Sequence, residues 1–223
     1  MILSEGSRSA TKRAIPVAPE GYSLIGASAF ATAIFAVLGL GLPALFFLAA
    51  TFFLGMFFRD PERVIPEEAG AVVSPADGKV VEVGVVQKGD LVPEEMLKVS
   101  VFMSVFNVHV NRIPAEGTVT DVSYYPGKFF SANLDKASRH NERNAVSLET
   151  SDGRKLVVVQ VAGLIARRII CRILKGDRLR RGERFGIICF GSRVDIYLPQ
   201  DAQPVVSVGD KVLAGTSVLG YLT

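Results

Sequence analysis

From Gly21 to Phe58 the chain carries no charged residue, and eight of its 14 phenylalanines fall in that stretch. A bilayer-spanning helix needs roughly 20 apolar residues, so the stretch is long enough for nearly two. Removing residues 1–58 leaves 165 residues with 22 Lys+Arg and 20 Asp+Glu. That remainder has the composition of a soluble domain large enough to bury its own core. The sequence therefore divides into a tail (1–20), a membrane anchor (21–58) and a domain (59–223).

Gly39, Gly41 and Pro43 interrupt the anchor near its middle. Proline removes a helix hydrogen bond, so two arrangements are open, besides a re-entrant hairpin allowed by the short second arm. One is a helical hairpin, 22–40 and 44–58, turning at Gly41-Leu42-Pro43; the other is a single long kinked helix. Basic residues flank both ends: Arg8, Lys12 and Arg13 before, Arg59 and Arg63 after. Positive flanks favour the cytoplasm, which supports the hairpin and puts the domain on the cytoplasmic side of a cell membrane. The apolar region is far too long for a cleaved signal peptide.

Outside the anchor, short runs rich in Val and Ile alternate with Gly, Pro and Asp. Runs at 79–87, 98–102, 118–125, 156–161, 185–190 and 194–198 are expected strands. This spacing predicts a mainly-β sandwich or barrel-sandwich hybrid. Helices are expected only at 131–139 and 163–172. Val73–Val83 and Ile113–Val122 resemble each other: each has a Pro-Ala-acid-Gly turn opening a Val-rich strand. With the C-terminal run at 208–222 they resemble the folded hairpins of lipoyl- and biotinyl-carrier domains, though no attachment lysine is evident.

A net charge of +3 gives no case for nucleic acid. Cys171 and Cys189 are isolated in apolar runs, which fits buried thiols and a reducing compartment. With two histidines and no CxxC or HExxH pattern, no metal site is expected. His109 lies among apolar neighbours and His140 in a polar run, so one fits a satisfied core histidine and the other a solvated loop. Asp77 fits its turn, because Asp bonds local backbone. Gly191-Ser192, set between two apolar β-type runs, is a place where backbone strain can be stored.

Five segments then align in order: Phe57-Phe58-Arg59-Asp60-Pro61-Glu62-Arg63, Ser74-Pro75-Ala76-Asp77-Gly78-Lys79-Val80, Met103-Ser104-Val105-Phe106-Asn107-Val108-His109, Asn141-Glu142-Arg143-Asn144 and Phe190-Gly191-Ser192-Arg193-Val194-Asp195. Each alone is common. In this order they resemble the phosphatidylserine decarboxylase proenzymes of the short bacterial and archaeal type, over essentially all of residues 57–199.

The resemblance implies a lyase with a covalent pyruvoyl cofactor. Self-cleavage would fall between Gly191 and Ser192, giving a β chain (1–191) and an α chain (192–223) that begins with a pyruvoyl group derived from Ser192. The substrate amine would form a Schiff base with that group, CO2 would leave, and phosphatidylserine would become phosphatidylethanolamine. His109 aligns with the first histidine of the family motif and is implied in proton transfer. Three residues on, long-form relatives carry a second histidine that joins an Asp-His-Ser relay. Here that position is Arg112, which cannot act as a base. Asp77 and Ser192 match the other relay members, so Asp77 and His109 together are expected to activate Ser192, with His140 as another base. Arg112 would then pair with Asp77 or hold a substrate carboxylate or phosphate. Lys79, Lys128, Arg143, Arg167 and Arg168 are further head-group candidates by charge, with a solvated face as the other reading of Arg167-Arg168. A membrane-tethered carrier or binding module without catalysis would explain the hairpins but not the Gly-Ser context. The lipid backbone and any homo-oligomer stay open.

Overall fold

A computed structural model of the chain describes residues 16–89, 91–92, 94–128, 141–163, 168–189 and 191–222. His140, Arg167 and the expected helix at 131–139 lie outside these residues.

The apolar stretch forms a helical hairpin, α1 (Tyr22–Val37) and α2 (Gly41–Phe57). The turn falls at Leu38–Leu40, before Pro43 rather than on it, with Gly39 in the left-handed region at φ 70°. Pro43 sits in the first turn of α2, where its missing N–H has no intrahelical partner to lose. The proline therefore opens the second helix instead of breaking the first. Polar contacts join the two arms: Ser28 Oγ donates to Phe47 O at 3.0 Å and Thr51 Oγ1 to Ser28 Oγ at 3.0 Å. Inside an apolar pair such contacts fix the register. Elsewhere the arms expose Phe30, Leu42 and Phe52. One helix, Pro19–Val37 with its leading 3-10 turn, is long and apolar enough to cross a membrane; Gly41–Phe57 is apolar but shorter.

The rest is mainly β, as expected. In chain order the strands are β1 (Ala71–Val73), β2 (Gly78–Val86), β3 (Met96–Met103), β4 (Val110–Arg112), β5 (Gly117–Tyr125), β6 (Arg143–Glu149), β7 (Lys155–Ala162), β8 (Arg168–Cys171), β9 (Arg178–Leu179), β10 (Arg184–Cys189), β11 (Ser192–Pro199), β12 (Gln203–Pro204), β13 (Lys211–Val212) and β14 (Val218–Tyr221). An eight-stranded sheet runs β13-β2-β3-β11-β7-β6-β5-β9, and two three-stranded sheets run β4-β10-β8 and β1-β14-β12. Alternation decides the core. Val99, Val101, Val158, Val194 and Ile196 share one face of the large sheet and pack with Phe185 and Ile188 of β10.

The two similar segments repeat in structure. Each opens a nine-residue strand, β2 and β5, and each strand shifts register just after its first Val, at Val80 and Val119. The helix expected at 163–172 is not seen over its described part. Residues 168–171 form β8, where β-branched Ile169 and Ile170 pair with Ile188 and Ile187. Cys171 and Cys189 are free and half-buried rather than fully buried, on β8 and β10 of the same small sheet.

A third apolar cluster joins the hairpin to the β strands. Phe57, Phe58 and Ala18 pack with Val108, Val110 and Ile187. Gly21 allows this, since a Cβ there would stand 2.5 Å from the Phe58 ring. The hairpin thus ends directly against β4 and β10.

Candidate active site

The chain passes from the small sheet to the large one between β10 and β11. A corner of this kind needs a sharp backbone turn, and Gly191 supplies it at φ 64°. A Cβ there would meet nothing nearer than Val105 Cγ1 at 3.9 Å. Backbone conformation, not space, therefore asks for glycine. Ser192 follows as the first residue of β11, opposite Met103 of β3 and Ala162 of β7, and it is fully buried.

His109 reaches the same corner from β4. Val110 pairs with Ile187 of β10, so the residue before it lies beside the end of that strand. The imidazole is fully buried with its ring 4.2 Å from that of Phe57. Nδ1 faces Asn107 O at 3.0 Å, and a carbonyl can only accept, so Nδ1 carries the hydrogen. Nε2 is then a lone pair, and it accepts from the Gly191 N–H at 3.3 Å. Burial pushes the His109 pKa down to about 4, with the Arg59 charge acting in the same direction and the Asn107 carbonyl opposing. At neutral pH the ring is an uncharged base aimed at the Gly191 backbone.

The Ser192 hydroxyl donates to Met103 Sδ at 3.4 Å, a weak acceptor. Behind it runs a ladder of buried amides. Asn111 Nδ2 contacts the same sulfur at 3.8 Å, Gln160 Nε2 donates to Asn111 Oδ1 at 2.9 Å, and Asn144 Nδ2 donates to Gln160 Oε1 at 3.1 Å.

The family whose description is phosphatidylserine decarboxylase matches residues 50–220. A phosphatidylserine decarboxylase proenzyme of Geotalea uraniireducens is 51% identical over 207 residues, 93% of this chain and 97% of that protein. One of Syntrophotalea carbinolica is 52% identical over the same shares, and one of Syntrophus aciditrophicus 53% over 78% and 81%. The chain belongs to the phosphatidylserine decarboxylase family. As a family member it is a decarboxylase, a carboxy-lyase.

In this phosphatidylserine decarboxylase family chain, Gly191, Ser192 and His109 come together at one corner. Asp77 stands apart from them in its contacts. Its Oδ1 accepts from Ala214 N at 2.7 Å and its Oδ2 pairs with Arg63 at 2.8 Å, so neither partner is His109 or Ser192. The expected pairing of Arg112 with Asp77 is not seen; Arg63 takes that place. Arg112 is buried and binds Asp60 at 3.3 Å, Pro61 O at 2.9 Å and Gly182 O at 2.9 Å. Burial, reinforced by the charge of Arg184, lowers its pKa to about 10, which still leaves it protonated. Lys79 is exposed, and Arg143 lies half-buried with its guanidinium 4.7 Å from the centroid of the Tyr125 ring.

Several contributors were invisible in the residue reading. Phe57 and Asp60 stand inside a quoted motif with no role attached, and Arg59 and Arg63 entered only as the basic flank of the apolar stretch. Met103, Asn111 and Gln160 reach Ser192 only through strand pairing; Met103 opens a quoted motif without a role, and Asn111 and Gln160 stand in none. The available signal was Gln160 itself, a polar residue inside the otherwise apolar run Leu156–Val161.

Proposed function

We propose that this chain is a self-processing proenzyme that decarboxylates phosphatidylserine to phosphatidylethanolamine at a membrane surface. The observation that carries the proposal is His109 Nε2, neutral and 3.3 Å from the Gly191 nitrogen, beside the buried Ser192. The relatives named as proenzymes support it.

In self-cleavage, Ser192 Oγ turns from Met103 and attacks the Gly191 carbonyl carbon. His109 Nε2 takes the hydroxyl proton and returns it to the Ser192 nitrogen as the peptide C–N bond breaks. The product is an ester. Loss of the Ser192 α-proton expels Gly191 as a carboxylate, which frees residues 1–191 and leaves a dehydroalanine at the head of residues 192–223. Water converts it to a pyruvoyl group and ammonia. The residues present fit this chemistry: a left-handed glycine marks the scissile corner, and the base carries its lone pair on that side.

Once formed, the pyruvoyl group supplies a ketone that binds the substrate amine and takes up the electron pair left by CO2. His109 Nε2 takes a proton from the incoming substrate ammonium and then delivers it to the carbon that lost CO2. Phe57 and burial keep water from that nitrogen. Asp77 acts at a distance, by fixing Arg63 and the backbone at Ala214, so we assign it orientation rather than proton transfer. Lys79 and Arg143 remain head-group partners by charge, while Arg112 already has three oxygen partners. The hairpin anchors the domain at 21–58, with the domain on the cytoplasmic side. Tethering keeps the site near head groups whose acyl chains stay in the bilayer.

Intact mass of the detergent-purified protein tests this reading. Two chains separating between Gly191 and Ser192, the smaller with a ketone at its N-terminus that cyanoborohydride and an amine modify, are expected. Ser192→Ala should give a single uncleaved 24.0 kDa chain. A parent protein that stays as one 24.0 kDa chain while folded and membrane-bound would overturn the proposal.

A further inference from the structure

Four of the six residues that join β3 to β4, 104–107, form a stiff turn beside the scissile corner. Asn107 Oδ1 accepts from Ser104 N at 2.8 Å and Ser104 Oγ at 2.7 Å, and Asn107 N donates to Ser104 O at 3.0 Å. Two neighbours within this segment face the site: Val105 lies against Gly191, and Asn107 O holds His109 Nδ1. Between them stands Phe106, whose side chain points the other way and is 66% exposed. Outside the hairpin, no other described phenylalanine is more than a third exposed.

Its position is fixed by the anchor. Arg59 donates through one nitrogen to Met56 O in the last turn of α2 at 2.7 Å, and through another to Phe106 O at 2.8 Å. The Phe106 backbone is therefore clamped to the end of α2, whose last turns expose Phe52, Phe53 and Met56. Phe106 thus adds another exposed apolar side chain, on backbone tied to the end of that helix. An exposed aromatic flanked by an arginine at a helix end is the pattern found where protein meets the head-group layer.

We propose that Phe106 inserts into the bilayer interface, among the glycerol and upper acyl groups of the lipid, and so sets the depth at which the Gly191-Ser192 corner meets lipid head groups. The inference rests on the membrane anchoring proposed above. It adds a second contact beside the hairpin, made by the segment that carries the catalytic histidine. The turn is held by its own Asn107 bonds, so bilayer contact at Phe106 positions Val105 and His109 as one piece relative to the substrate.

The chain contains no tryptophan, so Phe106→Trp gives a single tryptophan, excited on the long-wavelength side of tyrosine absorption. The full-length protein in phosphatidylcholine/phosphatidylserine nanodiscs is the sample, made also as the Ser192→Ala chain so that the reading needs no processing or activity. Acyl chains brominated near the glycerol should quench the tryptophan strongly, and aqueous iodide should not. Quenching by iodide alone, or by neither quencher because protein covers the ring, would overturn the proposal. A second arm uses turnover. Phe106→Ala should self-cleave normally and keep kcat/KM on a monomeric short-chain phosphatidylserine, but lose about tenfold on bilayer substrate, as expected for one lost apolar contact. Phe106→Trp should recover that loss. Equal losses on both substrates would mean a structural role and sink the idea. A parent protein that neither cleaves nor decarboxylates would fail the proposed function instead, and leave the quenching result to stand alone.

Discussion

β4 and β10 pair side by side, yet their two ends are built from opposite materials. At one end Arg112 faces Arg184, and both guanidinium groups bind the buried carboxylate of Asp60, with Glu62 as a second partner for Arg184. About three residues along the same pair, roughly 10 Å, stand His109 and the Gly191 corner. There the contacts run through a neutral imidazole, a hydroxyl, a thioether and amides. Buried charge is costly unless each member is paired, and once paired it resists rearrangement. Neutral groups with weak acceptors can exchange partners cheaply. The charged end holds the Arg59–Arg63 segment against the domain; the neutral end is free to react.

The largest test removes the base. His109→Ala should slow self-cleavage by about 10²–10⁴-fold, the usual contribution of a positioned general base, followed as the half-time of the small chain's appearance by mass. Processing at the parent's rate would mean that nothing at the neutral end depends on this imidazole.

At the charged end the expected damage is to stability. Asp60→Ala leaves Arg112 and Arg184 without their shared carboxylate and should cost about 3–5 kcal/mol. Thermal unfolding of the uncleaved Ser192→Ala chain in detergent measures it without mixing processed forms. A change below about 1 kcal/mol would show that the cluster is ornament rather than clamp.

Proton binding separates the ends next. Unfolded His109 takes a proton near pH 6.5, whereas folded His109 takes one only near pH 4, because burial disfavours the charged ring. Between those values the unfolded chain binds more protons, so stability falls as pH drops from about 6.5 to 4 and levels off below. The loss should reach roughly 3 kcal/mol, and His109→Gln should remove that part of the slope. An unchanged slope in His109→Gln would place the acid sensitivity elsewhere.

The fold and the helical hairpin were legible because they depend on local pattern. Six expected strands correspond to β2, β3, β5, β7, β10 and β11, since Val and Ile runs bounded by Gly and Asp carry the two-residue period. β6 was missed because Arg143–Glu149 has no Val/Ile run: it mixes one buried amide, Asn144, with half-buried Arg143, Ser147 and Glu149. The hairpin was legible from length, but its turn was misplaced, since a proline can start a helix as readily as stop one. That Gly191, Ser192 and His109 meet at one corner was foreshadowed only by the family resemblance; by residue type alone each had an ordinary structural explanation. Arg112 could not be placed, because its partners, Asp60, Pro61 and Gly182, are distant in sequence and met only when β4 paired with β10. The same holds for the amide ladder, whose members lie on β4, β6 and β7.

That ladder supplies the smallest and sharpest test. Gln160 crosses from the large sheet toward β10, where Gly186 leaves it room: a Cβ at Gly186 would stand 2.9 Å from Gln160 Nε2 and 2.3 Å from Ile170 O. Gln160→Met keeps the volume and removes both hydrogen bonds. Asn111 Oδ1 then loses its donor and Asn144 Nδ2 its acceptor, which should cost about 1–3 kcal/mol. Met103 still faces Ser192, so self-cleavage should change by less than about tenfold. If Gln160→Met cleaves as slowly as His109→Ala while its unfolding temperature barely moves, the ladder belongs to the reacting groups. The boundary between the holding end and the reacting end would then have to be drawn through β7 rather than at Ser192.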